Sequence, residues 1–215
     1  MRPGRLTSGQ ARALEELWPR FGIDDESSPV DGESLFGRKA PLVIEIGFGN
    51  GEATWRMARD EPDKDFIGIE VHPPGIGHLL LALEENRLDN VRVFRGDGVE
   101  FLQNRLHPES LDEVRIYFPD PWPKKRHHKR RIIQAPFLDL LASRLSPGGL
   151  LHLATDWQPY AEHILEVCDA HPAFENMSPT GEYCEKPGWR PKTKYELRGE
   201  RLGQPSRDIL FARQS

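Results

Sequence analysis

From Pro41 onward short apolar runs alternate with helical stretches, and that alternation restricts the fold more than any other feature. Leu42–Ile46, Phe66–Glu70, Val91–Arg95, Glu113–Phe118 and Leu150–Thr155 read as strands. Amphipathic stretches at about 52–60, 75–86, 99–106 and 137–145 separate them, and another follows at 159–170. Strands spaced by helices at this pitch cannot pair as hairpins; they must cross over into a parallel sheet covered on both faces. The tail breaks the rhythm. Ala173–Met177 and Asp208–Ala212 read as strands, with a loop at Gly181–Lys192 and a short helix between them that the capping box Thr193-Lys-Tyr-Glu196 opens and Gly203 ends. An antiparallel pair with an inserted helix fits that interval. The expected fold is α/β, with a doubly wound, mostly parallel sheet that ends in an antiparallel strand pair.

Residues 1–40 read differently. Thr7-Ser-Gly-Gln10 has capping-box spacing, and Leu14, Leu17, Trp18 and Phe21 follow at helical intervals. Asp24–Arg38 is polar and dotted with glycine, the composition of a linker. The expected organisation is an N-terminal arm with a short amphipathic helix over 1–40 and one domain over 41–215. At 215 residues the chain can enclose one sizeable core. It has no apolar run near the ~18–20 residues of a membrane span. No apolar stretch follows Arg2 and Arg5, so no secretory leader is expected and the location expected is cytoplasmic. Cys168 and Cys184 have neither metal-ligand nor redox-motif spacing and read as two reduced thiols.

Acids and glycines gather at the ends of the strands. Glu45-Ile-Gly47-Phe-Gly49-Asn-Gly51 lies where a strand meets a helix, so glycine lets the backbone approach a ligand and the helix N-terminus offers free N–H groups. Glu70 closes the next strand 19 residues beyond Gly51, the place from which a carboxylate accepts hydrogen bonds from ribose hydroxyls. The Gly-x-Gly-x-Gly spacing departs from the dinucleotide fingerprint Gly-x-Gly-x-x-Gly. A sulfonium cofactor carries an amino-acid moiety and no pyrophosphate, so it tolerates Glu45 beside the turn, and S-adenosylmethionine is favoured over a nicotinamide dinucleotide. Asp97 follows the third strand, where it either caps the next helix or accepts from the exocyclic amine of adenine; different lone pairs allow both. Asp120 and Asp156 follow the fourth and fifth strands, with helix capping as the plain alternative for Asp156. In open α/β sheets ligands bind outside these strand ends. The whole outline is that of Rossmann-like class I methyltransferases.

Asp120-Pro-Trp-Pro opens into Lys124-Lys-Arg126-His127-His128-Lys129-Arg130-Arg131, six Lys/Arg and two His in eight positions. Without those six cations the net charge of −5 becomes −11. A basic block on an acidic chain is an address for a polyanion, which nucleic acids answer by releasing counterions from neutralised phosphates. Trp122 and the two histidines add aromatic faces suited to stacking on bases. Adjacent imidazoles make a poor metal site, and no metal is expected.

These motifs resemble a known family. Glu-Ile-Gly-Phe-Gly-Asn-Gly (45–51), Gly-Ile-Glu-Val-His (68–72), Phe-Pro-Asp-Pro-Trp-Pro-Lys-Lys-Arg-His-His-Lys-Arg-Arg (118–131), Ala-Thr-Asp-Trp (154–157) and Thr-Lys-Tyr-Glu (193–196) are similar to the bacterial tRNA (guanine-N7-)-methyltransferases, over about Thr7 to Arg213. The resemblance implies methyl transfer from S-adenosylmethionine to N7 of a guanine in the variable loop of tRNA. It implies Glu45, Glu70, Asp97 and Asp120 at the cofactor, beside Gly47, Gly49 and Gly51. It implies Lys124, Asp156, Thr193, Lys194, Tyr195 and Glu196 at the guanine, and Arg126, His127, His128, Lys129, Arg130 and Arg131 against RNA. Tyr195 stands where many relatives have Phe, and the 179–192 loop matches little.

Guanine N7 already bears a lone pair, and its alkylation leaves positive charge on the purine. The expected catalytic role of Asp120 is therefore to orient and to stabilise charge rather than to accept a proton. Three other readings stay open on the residues alone: a methyltransferase for another base or substrate, a dinucleotide-dependent oxidoreductase, and a non-catalytic RNA-binding module. The sequence also leaves open whether the chain is a monomer or a homodimer.

Overall fold

A computed structural model describes residues 6–24 and 29–215. Arg2 and Arg5 lie outside the described residues. The chain divides into two compact units, residues 1–107 and 108–215.

The first unit is a parallel sheet with helices. Its strands are β1 (Gly22–Ile23), β2 (Leu42–Ile46), β3 (Asp65–Glu70) and β4 (Val91–Arg95), in the order β1-β4-β3-β2. Pairing is parallel throughout: Glu45 sits opposite Gly68, and Glu70 opposite Arg95. Every residue of β2 is buried, as continuous apolar strands covered on both faces require. The crossovers are α4 (Glu52–Asp60) and α5 (Pro73–Glu85), while α6 (Gly98–Asn104) follows β4. Phe66, Ile67, Ile76, Leu79, Leu80 and Phe101 are fully buried, each contributing about 1.5–3 kcal/mol relative to exposure. Gly51 caps α4 with φ +73°, and a Cβ there would lie 2.7 Å from Cβ of Leu79 in α5. Both the left-handed backbone and the close packing therefore demand glycine.

The residues ahead of Pro41 take part in this unit. Thr7 forms the expected capping box with Gln10 and opens α1 (Ser8–Glu16), which packs on α5. After it come α2 (Trp18–Phe21) and then β1, which extends the sheet beside β4. Residues 29–38, read from composition as linker, hold α3 (Gly32–Phe36) and a parallel bridge from Val30 to Leu106. Asp31 caps α3 by accepting from the Ser34 amide at 2.9 Å, and Gly37 ends it at φ +72°. Five residues are too few for a helical period to show in a sequence.

The second unit holds β5 (Leu111–Tyr117), α7 (Ala135–Arg144), β6 (Leu145–Thr155), α8 (Gln158–Asp169), β7 (Phe174–Asn176), α9 (Lys194–Arg201) and β8 (Arg207–Arg213). Its strand order is β5-β6-β8-β7. β5 and β6 are parallel, and β8 runs antiparallel to both β6 and β7. The expected antiparallel end of the sheet is thus present, with β8 inserted between its neighbours. β6 departs from expectation. It begins at Leu145, before Ser146-Pro-Gly-Gly149, and a register shift carries the pairing from Leu111–Leu145 to Glu113–Leu150. The shift absorbs the Pro-Gly-Gly segment as an irregularity within the strand, where sequence alone reads a stop.

Candidate active site

In the first unit the strand ends present a glycine turn held by the Glu70 carboxylate, with Glu45 buried beside it. Glu45 is buried in β2, and its Oε2 accepts from Thr54 Oγ1 of α4 at 2.6 Å. Glu70 holds the turn from the end of β3. Its Oε2 accepts from the Gly49 amide at 2.9 Å, and its Oε1 accepts from the amides of Val71 and His72 at 2.7 and 3.0 Å. A carboxylate has about four lone-pair positions, so three amide donors leave room for a further one. Nδ1 of His78, from α5, lies 2.7 Å from the Asn50 carbonyl and pins the other side of the turn. Gly47 and Gly49 have φ of +73° and +61°, and a Cβ on either would meet no atom within 4 Å. Open space above bare backbone, beside Glu70 with an acceptor to spare, fits a cationic nucleoside with hydroxyl and amine donors. Asp97 caps α6, its Oδ1 accepting from Val99 and Glu100 at 2.8 and 3.0 Å. Its Oδ2 has no hydrogen bond to the described residues, so the two readings of Asp97 coexist in one side chain.

In the second unit Asp120 is exposed in the turn after β5. Phe118 and Trp122 flank it at φ +52° and +44°, conformations unusual for bulky residues and held only where surroundings enforce them. The Phe118 amide donates to the Ala154 carbonyl at 2.7 Å, and around Trp122 the surroundings are the basic run itself. Lys125–Arg130 winds into a 3₁₀ helix that folds back on the turn, with the Arg130 guanidinium 4.9 Å from the Trp122 ring centroid and His127 edge-on to the same ring at 5.9 Å. With Arg130 over it, Trp122 is part of the turn's own packing. Lys124, Lys125, Arg126, Lys129 and Arg130 are exposed, and His127 and His128 are half-buried.

Arg131 is a correction to the expected row of phosphate contacts. It is buried, its Nε donates to the Pro121 carbonyl at 2.9 Å, and its guanidinium lies 4.8 Å from the Tyr160 ring centroid in α8. Burial lowers its pKa, and Nη2 has no hydrogen-bond partner. The side chain ties the Asp120 turn to α8 instead of meeting solvent.

Asp156 follows β6 and does not cap α8: the cap is Trp157, whose amide donates to Thr155 Oγ1 at 3.2 Å. Asp156 Oδ2 lies 3.7 Å from the point where a Cβ on Gly199 would stand, so α9 runs beside it. Thr193 and Glu196 form the expected capping box at the start of α9. The side chains of Lys194 and Tyr195 lie outside the described residues. Among the described residues no group of three His, Cys, Asp or Glu is arranged to hold a metal, and no helix is long and apolar enough to cross a membrane.

Known proteins match this arrangement along the chain. A family model described as "Putative methyltransferase" matches residues 39–209. The tRNA (guanine-N(7)-)-methyltransferase of Streptomyces avermitilis is 53% identical over 99% of this chain and 73% of its own length. The proteins of that name from Alcanivorax borkumensis and Halorhodospira halophila are 50% and 54% identical, over 100% and 98% of this chain and 90% and 91% of theirs. The chain belongs to the tRNA (guanine-N7-)-methyltransferase family. Among solved structures, an rRNA methylase from Streptococcus thermophilus superposes with a TM-score of 0.56 at 12% identity, covering 99% of this chain and 100% of that one. The 16S rRNA methyltransferase KamB gives 0.56 at 13% identity over 85% and 92%. These two show the Rossmann-like class I methyltransferase fold.

Within this member of the family the sequence reading missed a buried polar network. Arg190, in the 181–192 loop, is 1% exposed and grips Asp208 of β8 with Nε on Oδ1 at 2.5 Å and Nη2 on Oδ2 at 2.7 Å. His152 of β6 lies between Asp208, at 2.9 Å from Nε2, and the Tyr117 hydroxyl, at 2.9 Å from Nδ1. Burial lowers the His152 pKa against the pull of Asp208, which fits a neutral ring that donates from Nε2 and accepts at Nδ1. Burial also raises the Asp208 carboxyl, but hydrogen bonds from His152 and Arg190 outweigh it and the net shift is downward. A signal was present: His152 interrupts an apolar strand run, and Arg115, paired with Glu113 at 2.8 Å, interrupts another. Such a residue in a buried strand needs a partner, but the sequence does not say which.

Proposed function

We infer that this chain transfers a methyl group from S-adenosylmethionine to N7 of a guanine in the variable loop of tRNA. The observation that carries this reading is 50–54% identity to proteins of that name over nearly the whole chain. The glycine turn with Glu70 and Asp97, and the exposed cations after Asp120, supply parts that such a reaction needs. The location proposed is the cytoplasm, where a tRNA substrate would be met.

Glu70 and Asp97 are assigned to the ribose hydroxyls and the adenine amine of the cofactor, and Glu45 stabilises the turn beneath it through Thr54. When bound, the cofactor supplies an electrophilic methyl group on a sulfonium sulfur. Arg126, Lys129 and Arg130 are assigned to tRNA phosphates and to the approach of the variable loop, and Lys124 to the guanine. Asp156 and Thr193 are assigned to the guanine, with Lys194 and Tyr195 beside them. N7 attacks through its own lone pair, so no side chain has to remove a proton first. Asp120 aligns the base and stabilises the positive charge that grows on the purine, an electrostatic role worth most when the carboxylate is already held in place. Arg131 and the packed Trp122 hold its turn in that way.

The test is incubation with tRNA and methyl-labelled cofactor, followed by digestion to nucleosides. The label should be recovered as 7-methylguanosine. Label in any other nucleoside, or in protein, would overturn the assignment.

A further inference from the structure

Glu196 falls within the segment assigned to the guanine, yet its carboxylate faces inward. It is 3% exposed. Oε1 pairs with Arg190 Nη1 at 2.8 Å and accepts from Ser206 Oγ at 2.9 Å, while Oε2 accepts from the Thr193 amide at 3.1 Å. Three donors therefore already occupy a carboxylate that a base would have to reach through protein. Arg190 in turn is fixed by its two-pronged grip on Asp208 and lies 5.6 and 5.7 Å from the ring centroids of Tyr117 and Phe118. Those two residues lead directly into the Asp120 turn. Thr193 differs from Glu196: it is only half-buried, and its Oγ1 accepts from the Glu196 amide at 3.3 Å, which leaves its O–H proton to donate outward.

We propose that Arg190 and Glu196 are positioning residues, a buried ion pair that sets Thr193 and the start of α9 against the end of β5, and that Thr193 rather than Glu196 meets the guanine. A paired, fully bonded buried charge is a rigid and register-specific link, and loss of either end unlocks the same joint. The 181–192 loop, which carries Arg190, thereby gains a part in substrate alignment. The inference rests on tRNA being the substrate.

A double-mutant cycle on the full chain tests it. Glu196→Gln, Arg190→Lys and the double variant are compared for kcat/KM on tRNA at saturating cofactor, with cofactor affinity measured by calorimetry as a control. Because both residues serve one joint, each single change should lower kcat/KM about tenfold or more. The double variant should fall within about threefold of the worse single one. Cofactor affinity should be unchanged. Losses that multiply would mean that Glu196 acts independently of Arg190 and would overturn the proposal. A second readout uses tRNA carrying inosine, which lacks the exocyclic amine, at the methylated position. The loss caused by Glu196→Gln should be the same on inosine as on guanine; a loss that vanishes on inosine would make Glu196 a direct contact. If Arg190→Lys fails to fold, Ser206→Ala removes one donor to the same Oε1 and should lower kcat/KM in the wild-type background but not beside Glu196→Gln. Wild-type protein inactive on tRNA would refute the functional reading, whereas an active wild type with multiplying losses refutes only this one.

Discussion

At the scale of single residues, each unit separates charges that must be spent on structure from charges left for ligands. Glu196 and Asp208 are consumed by Arg190, Glu45 accepts from Thr54, and Asp97 divides its two oxygens between a helix cap and open solvent. Asp120 is exposed, and its backbone is constrained on both sides by residues with positive φ. That arrangement suits a carboxylate that orients and stabilises charge. Asp120→Asn keeps the shape and one acceptor but removes the charge, and single-turnover methyl transfer should fall by at least about 10²-fold, the scale of removing one electrostatic interaction with the transition state. With enzyme and cofactor saturating, the wild-type rate should show no limb rising through a carboxylate or histidine pKa, because N7 never loses a proton. A limb present in the wild type and absent in Asp120→Asn would restore a proton-accepting role.

At the scale of elements, regular apolar pattern was readable and irregular polar structure was not. β2 at Leu42–Ile46 and β4 at Val91–Arg95 lie where their apolar runs place them, and both capping boxes form as their spacing implies. β6 runs farther back than expected because a strand can swallow Pro-Gly-Gly as an irregularity when its neighbour's register allows it. The strand-end acids and the glycine turn were legible because their chemistry repeats at a structural period. Arg190 was not, because its partners Glu196 and Asp208 are joined to it by tertiary folding alone. The basic run was legible as charge but not as structure, since only its fold separates five exposed cations from buried Arg131. That separation is measurable. Replacing Arg126 and Lys129 by glutamine should weaken tRNA binding and flatten its log–log salt dependence by about 0.7–0.9 for each phosphate no longer neutralised. Arg131→Met should leave the salt slope unchanged while lowering kcat, because it loosens the Asp120 turn. An equal flattening of the slope in Arg131→Met would return Arg131 to the cations that meet phosphate.

At the scale of the whole molecule, the buried network in residues 108–215 links stability to pH. His152 has a pKa lowered from the usual 6.5, so the unfolded chain takes up its proton first as pH falls below that value. Asp208 has a pKa lowered from the usual 3.8, so the stability it contributes is present above that value and is lost as pH falls below it. Both shifts act in the same direction. The thermal midpoint should be flat between about pH 7 and 8, decline as pH drops below 6.5, and decline further below 3.8. His152→Gln, which keeps a donor toward Asp208, should remove the first decline and leave the second. A wild-type midpoint unchanged between pH 7 and 5 would show that His152 is not held neutral in the fold.

The proposed reaction is defined by the atom that receives the methyl group. Two tRNA substrates, identical except for guanine or 7-deazaguanine at the target position of the variable loop, isolate that atom, because the second has a C–H in place of N7 and otherwise keeps its pairing edge. With labelled S-adenosylmethionine, the guanine substrate should gain one methyl group recovered as 7-methylguanosine. The 7-deazaguanine substrate should bind with similar affinity and gain none. Label on the 7-deazaguanine substrate, at a rate comparable to the other, would contradict the account.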